Sequence, residues 1–99
     1  VERRWSRRKQ VGQDVLLHYD GQQAAVCTIR DLSFEGARID TGSLVVAPSV
    51  EVQLHFCGSG DQGMVRIGAT VVRVLEDGIG VNFSEYHDGS CRYLLTLLD

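Results

Sequence analysis

The chain has little of what marks a disulfide scaffold, a membrane span or a catalytic centre. Its three cysteines, Cys27, Cys57 and Cys91, are odd in number and show no close paired spacing. That argues against a disulfide framework and leads to the expectation of a reducing, cytoplasmic setting. His55 and Cys57 stand two apart, but two donors fall short of the three or four that a metal needs. No metal site is expected, and the cysteines and His18, His55 and His87 read as structural. No apolar run approaches the roughly 18 residues of a membrane span, so no membrane insertion is expected. The charged N-terminus is followed by no apolar stretch, so a signal peptide is not expected either. No Ser/His/Asp set or carboxylate pair stands in a catalytic spacing, and neither enzyme activity nor a cofactor is predicted. There is one proline, Pro48, one tryptophan, Trp5, and no internal repeat.

What is present is an uneven charge. Residues 1–9 carry five basic side chains (Arg3, Arg4, Arg7, Arg8, Lys9) against Glu2, or +4. The other 90 carry five basic against twelve acidic, or −7, which together give the net −3. A basic arm on an acidic body suits a small anionic ligand. The body repels a long polyanion, which argues against a nucleic acid polymer as partner. With 99 residues, 43% of them hydrophobic, the chain has material for one domain and one core. The expected division is a flexible arginine-rich arm over 1–10, a β-barrel over 11–84 and a C-terminal helix over 87–98.

Period-2 alternation governs the middle of the chain. Val11–Tyr19 sets Val15 and Leu17 against Leu16 and His18, and Asp20-Gly21 turns it into a strand over Gln23–Arg30. Further strands are predicted over Ala37–Asp40, Val50–Phe56, Met64–Leu75 and Ile79–Phe83. The clearest is Val50, Val52, Leu54 and Phe56 alternating with Glu51, Gln53 and His55. Six strands separated by turns, with no helix between them, predict a mainly β fold closing as a small antiparallel barrel. Tyr93, Leu94, Leu95, Leu97 and Leu98 then follow helical spacing after Gly89-Ser90. So short a helix must dock, either plugging a barrel mouth or forming a dimer contact. The chain is accordingly expected to be a monomer or a weak homodimer.

Two motifs carry the functional reading: the arginine cluster RRWSRR at Arg3–Arg8, and DLSFEG at Asp31–Gly36. A guanidinium donates paired hydrogen bonds to phosphate oxygens or to guanine O6 and N7, and stacks on a base. A carboxylate at Asp31 accepts from guanine N1 and N2 donors, and Ser33 offers a short hydroxyl. Gly36 permits a positive φ or a close backbone approach. Taken alone, DLSFEG also reads as an ordinary turn in which Asp31 and Ser33 bond local backbone.

In this order the two motifs resemble the signatures of the PilZ domain, which binds the bacterial second messenger cyclic di-GMP. Arg4 and Arg8 fit the family's pair of arginines three residues apart. Asp31, Ser33 and Gly36 fit its Asp/Asn-x-Ser-x-x-Gly. Gly78-Ile79-Gly80-Val81-Asn82-Phe83 is similar to the family's last strand and Val71–Val74 to the strand before it. The resemblance implies a six-stranded antiparallel PilZ-type β-barrel with a C-terminal α-helix. It also implies a cyclic di-GMP receptor or adaptor whose ligand orders the arm onto the barrel and alters contacts with an unidentified effector protein. By the same resemblance Arg3, Arg4, Arg8, Asp31, Ser33 and Gly36 bind the ligand, with Arg3 in front of the motif favouring a stacked ligand dimer. Arg3 with Arg7 satisfies the same spacing, so a second register stands beside the first. Trp5 is either a stacking surface or an apolar anchor for the arm. The alternatives are a PilZ-like adaptor that works without ligand and a small barrel binding single-stranded nucleic acid. Arg7, where relatives often carry an aromatic residue or proline, and the link Lys9–Gly12 depart from the family pattern.

Overall fold

In the computed structural model the described residues are 8–19, 24–42, 44, 46–57, 64–87 and 89–98. They form β1 (Lys9–Tyr19), β2 (Ala25–Leu32), β3 (Gly36–Asp40), β4 (Glu51–Cys57), β5 (Met64–Val74), β6 (Gly78–Tyr86) and α1 (Ser90–Leu98). The strands close into an antiparallel barrel in the order β1-β2-β3-β6-β5-β4. The predicted fold class is therefore the observed one, a mainly β six-stranded barrel with a C-terminal helix.

The alternation predicted for β1 and β4 is seen directly. Val15 and Leu17, and Val52, Leu54 and Phe56, point into the core, while Leu16, His18, Gln53 and His55 are half-buried on the outer face. Ile29, Ile39, Ile67, Val71, Ile79 and Val81 fill the remainder of the interior. Gly36 and Gly78 lie where neighbouring strands approach so closely that a Cβ would run into the carbonyl oxygens of Val81 and Ile39. Tyr93 and Leu94 of α1 are buried, and the Tyr93 ring sits 5.4 Å from that of Phe56, so the helix covers the core by its apolar face. Among the described residues, no helix is long and apolar enough to cross a membrane.

Several boundaries differ from expectation. Lys9 and Gln10 belong to β1 rather than to the arm, and the helix begins at Ser90 rather than at 87. Strand β2 runs on to Leu32, so Asp31 sits inside the sheet. Two irregularities explain its placement. Opposite Ile29–Asp31, strand β1 inserts an extra residue, because Gln10 faces Asp31 and Gln13 faces Ile29. On the other side of β2, Ile29 faces Ile39 but Asp31 faces Arg38, which makes Arg30 the extra residue there. Such bulges reset the in-and-out phase of a strand. Ile29 and Leu32 both point inward, leaving the adjacent Arg30 and Asp31 toward the surface.

Candidate functional site

The DLSFEG segment closes the β2–β3 hairpin as a tight, well-bonded turn. The Ser33 amide donates to the Gly36 carbonyl at 2.9 Å, and the Ser33 hydroxyl accepts from the Glu35 and Gly36 amides, both at 3.2 Å. Ser33 is only 1% exposed, so its hydroxyl is committed to the turn's own backbone. Gly36 has no positive φ; its lack of a side chain serves the close approach to Val81. Strand β6 clamps the turn from outside. The Phe83 amide donates to the Glu35 carbonyl at 2.8 Å and the Tyr86 hydroxyl to the Phe34 carbonyl at 2.6 Å. Burial first, then the Cys91 and Glu35 charges, push the Tyr86 hydroxyl above its ordinary value, which keeps it a donor.

Asp31 is the member of the motif that faces outward. Arg8 donates to its Oδ1 from Nε at 2.8 Å and also from Nη2. The end of the arginine cluster and the start of the second motif, 23 residues apart in sequence, thus meet through an ion pair on the barrel surface. Beside them opens a polar cleft of about 200 Å³ lined by Gln10, Val11, Arg30, Asp31 and Arg38. Arg30 Nη1 lies 3.2 Å from Asp40 Oδ2, and Arg38 Nη2 lies 3.4 Å from Asp77 Oδ1. Across β3 and β6, Arg38 is paired with Gly80, and Gly80 with Arg73 on β5. The missing side chain at Gly80 leaves room that the Arg73 side chain covers, within 3.6 Å of where a Cβ would stand.

Of the predicted site residues, the structure brings Arg8 and Asp31 into contact, sets Ser33 and Gly36 beneath them as framework, and leaves Arg3 and Arg4 outside the described residues. Arg7 and Trp5 also lie outside, so the choice of arginine register and the two readings of Trp5 are not addressed by the described residues. Arg30 and Arg38 were missed. Arg38 had a signal, since a hairpin turning at Ser33–Gly36 pairs Leu32 with Ala37 and hence Asp31 with Arg38. Arg30 had none, because its outward aim depends on a bulge. Among the described residues no group of three or more His, Cys, Asp or Glu is placed to hold a metal. Cys27 is buried, and burial followed by the Asp40 charge pushes its thiol above the ordinary range, consistent with a structural residue.

Comparison with known proteins agrees with this architecture. The chain is similar to the structure of the Bacillus subtilis inhibitor of motility (MotI/DgrA), with a TM-score of 0.77 at 16% identity. That match covers 98% of this chain and 49% of the other, so this chain spans about half the length of that relative. It is equally similar to the PilZ domain of CeSA from a cellulose-synthesizing bacterium, with a TM-score of 0.77 at 16% identity over 95% of this chain and 100% of that one. At such identity these likenesses speak for the fold. A sequence comparison with curated proteins finds no match. The family model for the PilZ domain matches residues 2–99. Nearly the whole chain, with both motifs, is accounted for by that match, and the protein belongs to the PilZ domain family, whose members generally serve as cyclic di-GMP receptors or adaptors.

Proposed function

We propose that this domain is a cytoplasmic cyclic di-GMP receptor module in which ligand draws the N-terminal arm onto the barrel and alters the surface met by an effector protein. The observation that carries this reading is the Arg8–Asp31 contact at the rim of the polar cleft, since it joins the two motifs at one place. Asp31 accepts from the N1 and N2 donors of a guanine, while Arg8 turns to a phosphate or to the guanine O6 and N7 edge. Arg38, directly across the β2–β3 pair from Asp31, offers a second guanidinium on the same face. Arg4 stands four residues before Arg8, a contour of at most about 14 Å, which keeps its side chain within reach of the same cleft. Ser33 and Gly36 work as positioning residues, holding the turn from which Asp31 projects. Arg3 adds a further guanidinium, and with it the site takes two stacked ligands per chain.

The switch requires the two arm arrangements to differ in ligand affinity, and an arm that gains charge-assisted contacts only when ligand is bound meets that requirement. No catalytic step, cofactor or metal enters this mechanism.

Calorimetric titration of cyclic di-GMP into the wild type and Arg8→Ala, with GTP as an anion control, tests it. Low-micromolar or tighter binding with a stoichiometry of two is expected, reduced about 100-fold or more in Arg8→Ala and not imitated by GTP. A stoichiometry of one would remove the stacked dimer. No heat from a folded protein would leave the domain as a ligand-independent protein adaptor.

A further inference from the structure

We infer that the three arginine–aspartate pairs around the cleft form a selectivity device, with Asp40 and Asp77 as its unrecognised members. Each of these three guanidiniums is already held by a carboxylate. The cleft therefore admits a ligand that re-partners acid and base together and turns away one that offers negative charge alone. This inference rests on the reading of the cleft as the cyclic di-GMP site.

The pairs are Arg8 with Asp31, Arg30 with Asp40 and Arg38 with Asp77. Their six formal charges sum to zero, so these pairs add little long-range pull on a polyphosphate in spite of their arginines. A phosphate that reaches Arg30 or Arg38 also meets Asp40 or Asp77 a few ångströms away, and the repulsion offsets much of the attraction. Asp40 ends β3, and Asp77 stands in the turn between β5 and β6. Neither belongs to a binding motif or lines the cleft, so they act through the arginines they hold.

Asp31 supplies the other half of the discrimination. Arg8 presents two adjacent donors, Nε and Nη2, to one of its oxygens. The guanine edge, with N1–H beside N2–H, replaces those donors and releases Arg8 for a phosphate. The number of charge-assisted bonds is then maintained while the partners change. A plain anion that captures Arg8 leaves the part-buried Asp31 carboxylate without this partner, which is costly. Adenine sets an acceptor at N1 where guanine has a donor, and faces the same carboxylate with repulsion.

The test is to titrate pyrophosphate, cyclic di-AMP and cyclic di-GMP into the wild type and D40N/D77N at low salt. Asparagine at 40 retains the acceptor that Asp40 Oδ1 offers to the Gly42 amide at 3.2 Å, so the β3 end keeps its bond. Removing each charge at about 5 Å is worth roughly threefold to fivefold in anion affinity under water-like screening. Pyrophosphate and cyclic di-AMP are therefore expected to bind about tenfold more tightly to the double variant, and to lose that affinity when Arg30→Gln and Arg38→Gln are added. Unchanged affinities in a variant with a native melting curve, or a double-variant affinity that loss of both arginines does not reduce, would overturn the inference. If the double variant melts early, D77N alone decides, with about a threefold gain expected. A wild type that ignores cyclic di-GMP while D40N/D77N gains pyrophosphate binding would sink the receptor reading and leave the neutralisation standing.

Discussion

Two clefts on the outside of this barrel have nearly the same size and opposite chemistry. The cleft of Gln10, Val11, Arg30, Asp31 and Arg38 measures about 200 Å³, and its neighbour, lined by Asp14, Val15, Leu16, Val26, His55 and Met64, about 210 Å³. The first is built where bulges turn adjacent charged residues outward on β2. The second lies on regularly paired strand, where Leu16 stands between Val26 on one side and His55 on the other. Volume therefore does not distinguish the proposed nucleotide cleft from the apolar one. Broken strand regularity does, because it concentrates side chains that a strict pleat would send alternately to the two faces.

A substitution in the barrel framework gives the largest effect. In Gly36→Val the new side chain would collide with the Val81 backbone, and the loss is expected to exceed about 4 kcal/mol. Circular dichroism would show little native barrel, and a variant melting within a few degrees of wild type would refute the proposed role of Gly36. A change confined to the polar side is Ser33→Ala. It strips the Glu35 and Gly36 amides of their acceptor and is expected to cost about 1–2 kcal/mol, a fall of roughly 5–15 °C in Tm. Hydrogen exchange at those two amides should quicken while amides beside Leu16 and Val26 stay protected.

The smallest effect belongs to the apolar side. Burial, and after it the positive charges of His18, Arg66 and His87, hold His55 below its ordinary value of 6.5. The folded state thus resists protonating His55, and the unfolded state takes the proton first. Its contribution to stability is intact above about pH 6.5 and is lost as pH falls below it. Chemical denaturation from pH 7.5 to 5 should show a shallower decline for His55→Asn than for wild type, with Asp14 and His18 unchanged on the same face. An identical slope would show that His55 has no part in it.

The alternation in Val52, Leu54 and Phe56 was enough to place β4, because a half-buried strand writes its two faces into its sequence. The succession of six strands along the chain and the barrel class followed from turns and periods, whereas their order around the barrel came from the structure. The candidate site was legible as residue types and only partly as roles. Asp31 and Ser33 share a motif two residues apart, yet one faces solvent and the other is sealed in its own turn. That difference arises from the Arg30 bulge and from backbone hydrogen bonds, neither of which a residue pattern encodes. Arg38 was within reach of a register argument, whereas Arg30, Asp40 and Asp77 required the three-dimensional pairing of separate strands.

The β1 bulge bears on how the molecule avoids its own copies. Among the described residues β1 meets β4 only from Leu16 to Tyr19, so Gln10–Val15 has a strand neighbour on the β2 side alone. In general, a flat, unpaired strand margin templates strand exchange and fibre growth. Here the extra residue between Gln10 and Gln13 breaks the regular repeat of amides and carbonyls along that margin. Such a break works against in-register pairing with a second chain. The irregularity that shapes the polar cleft therefore also works against strand addition along this stretch of β1.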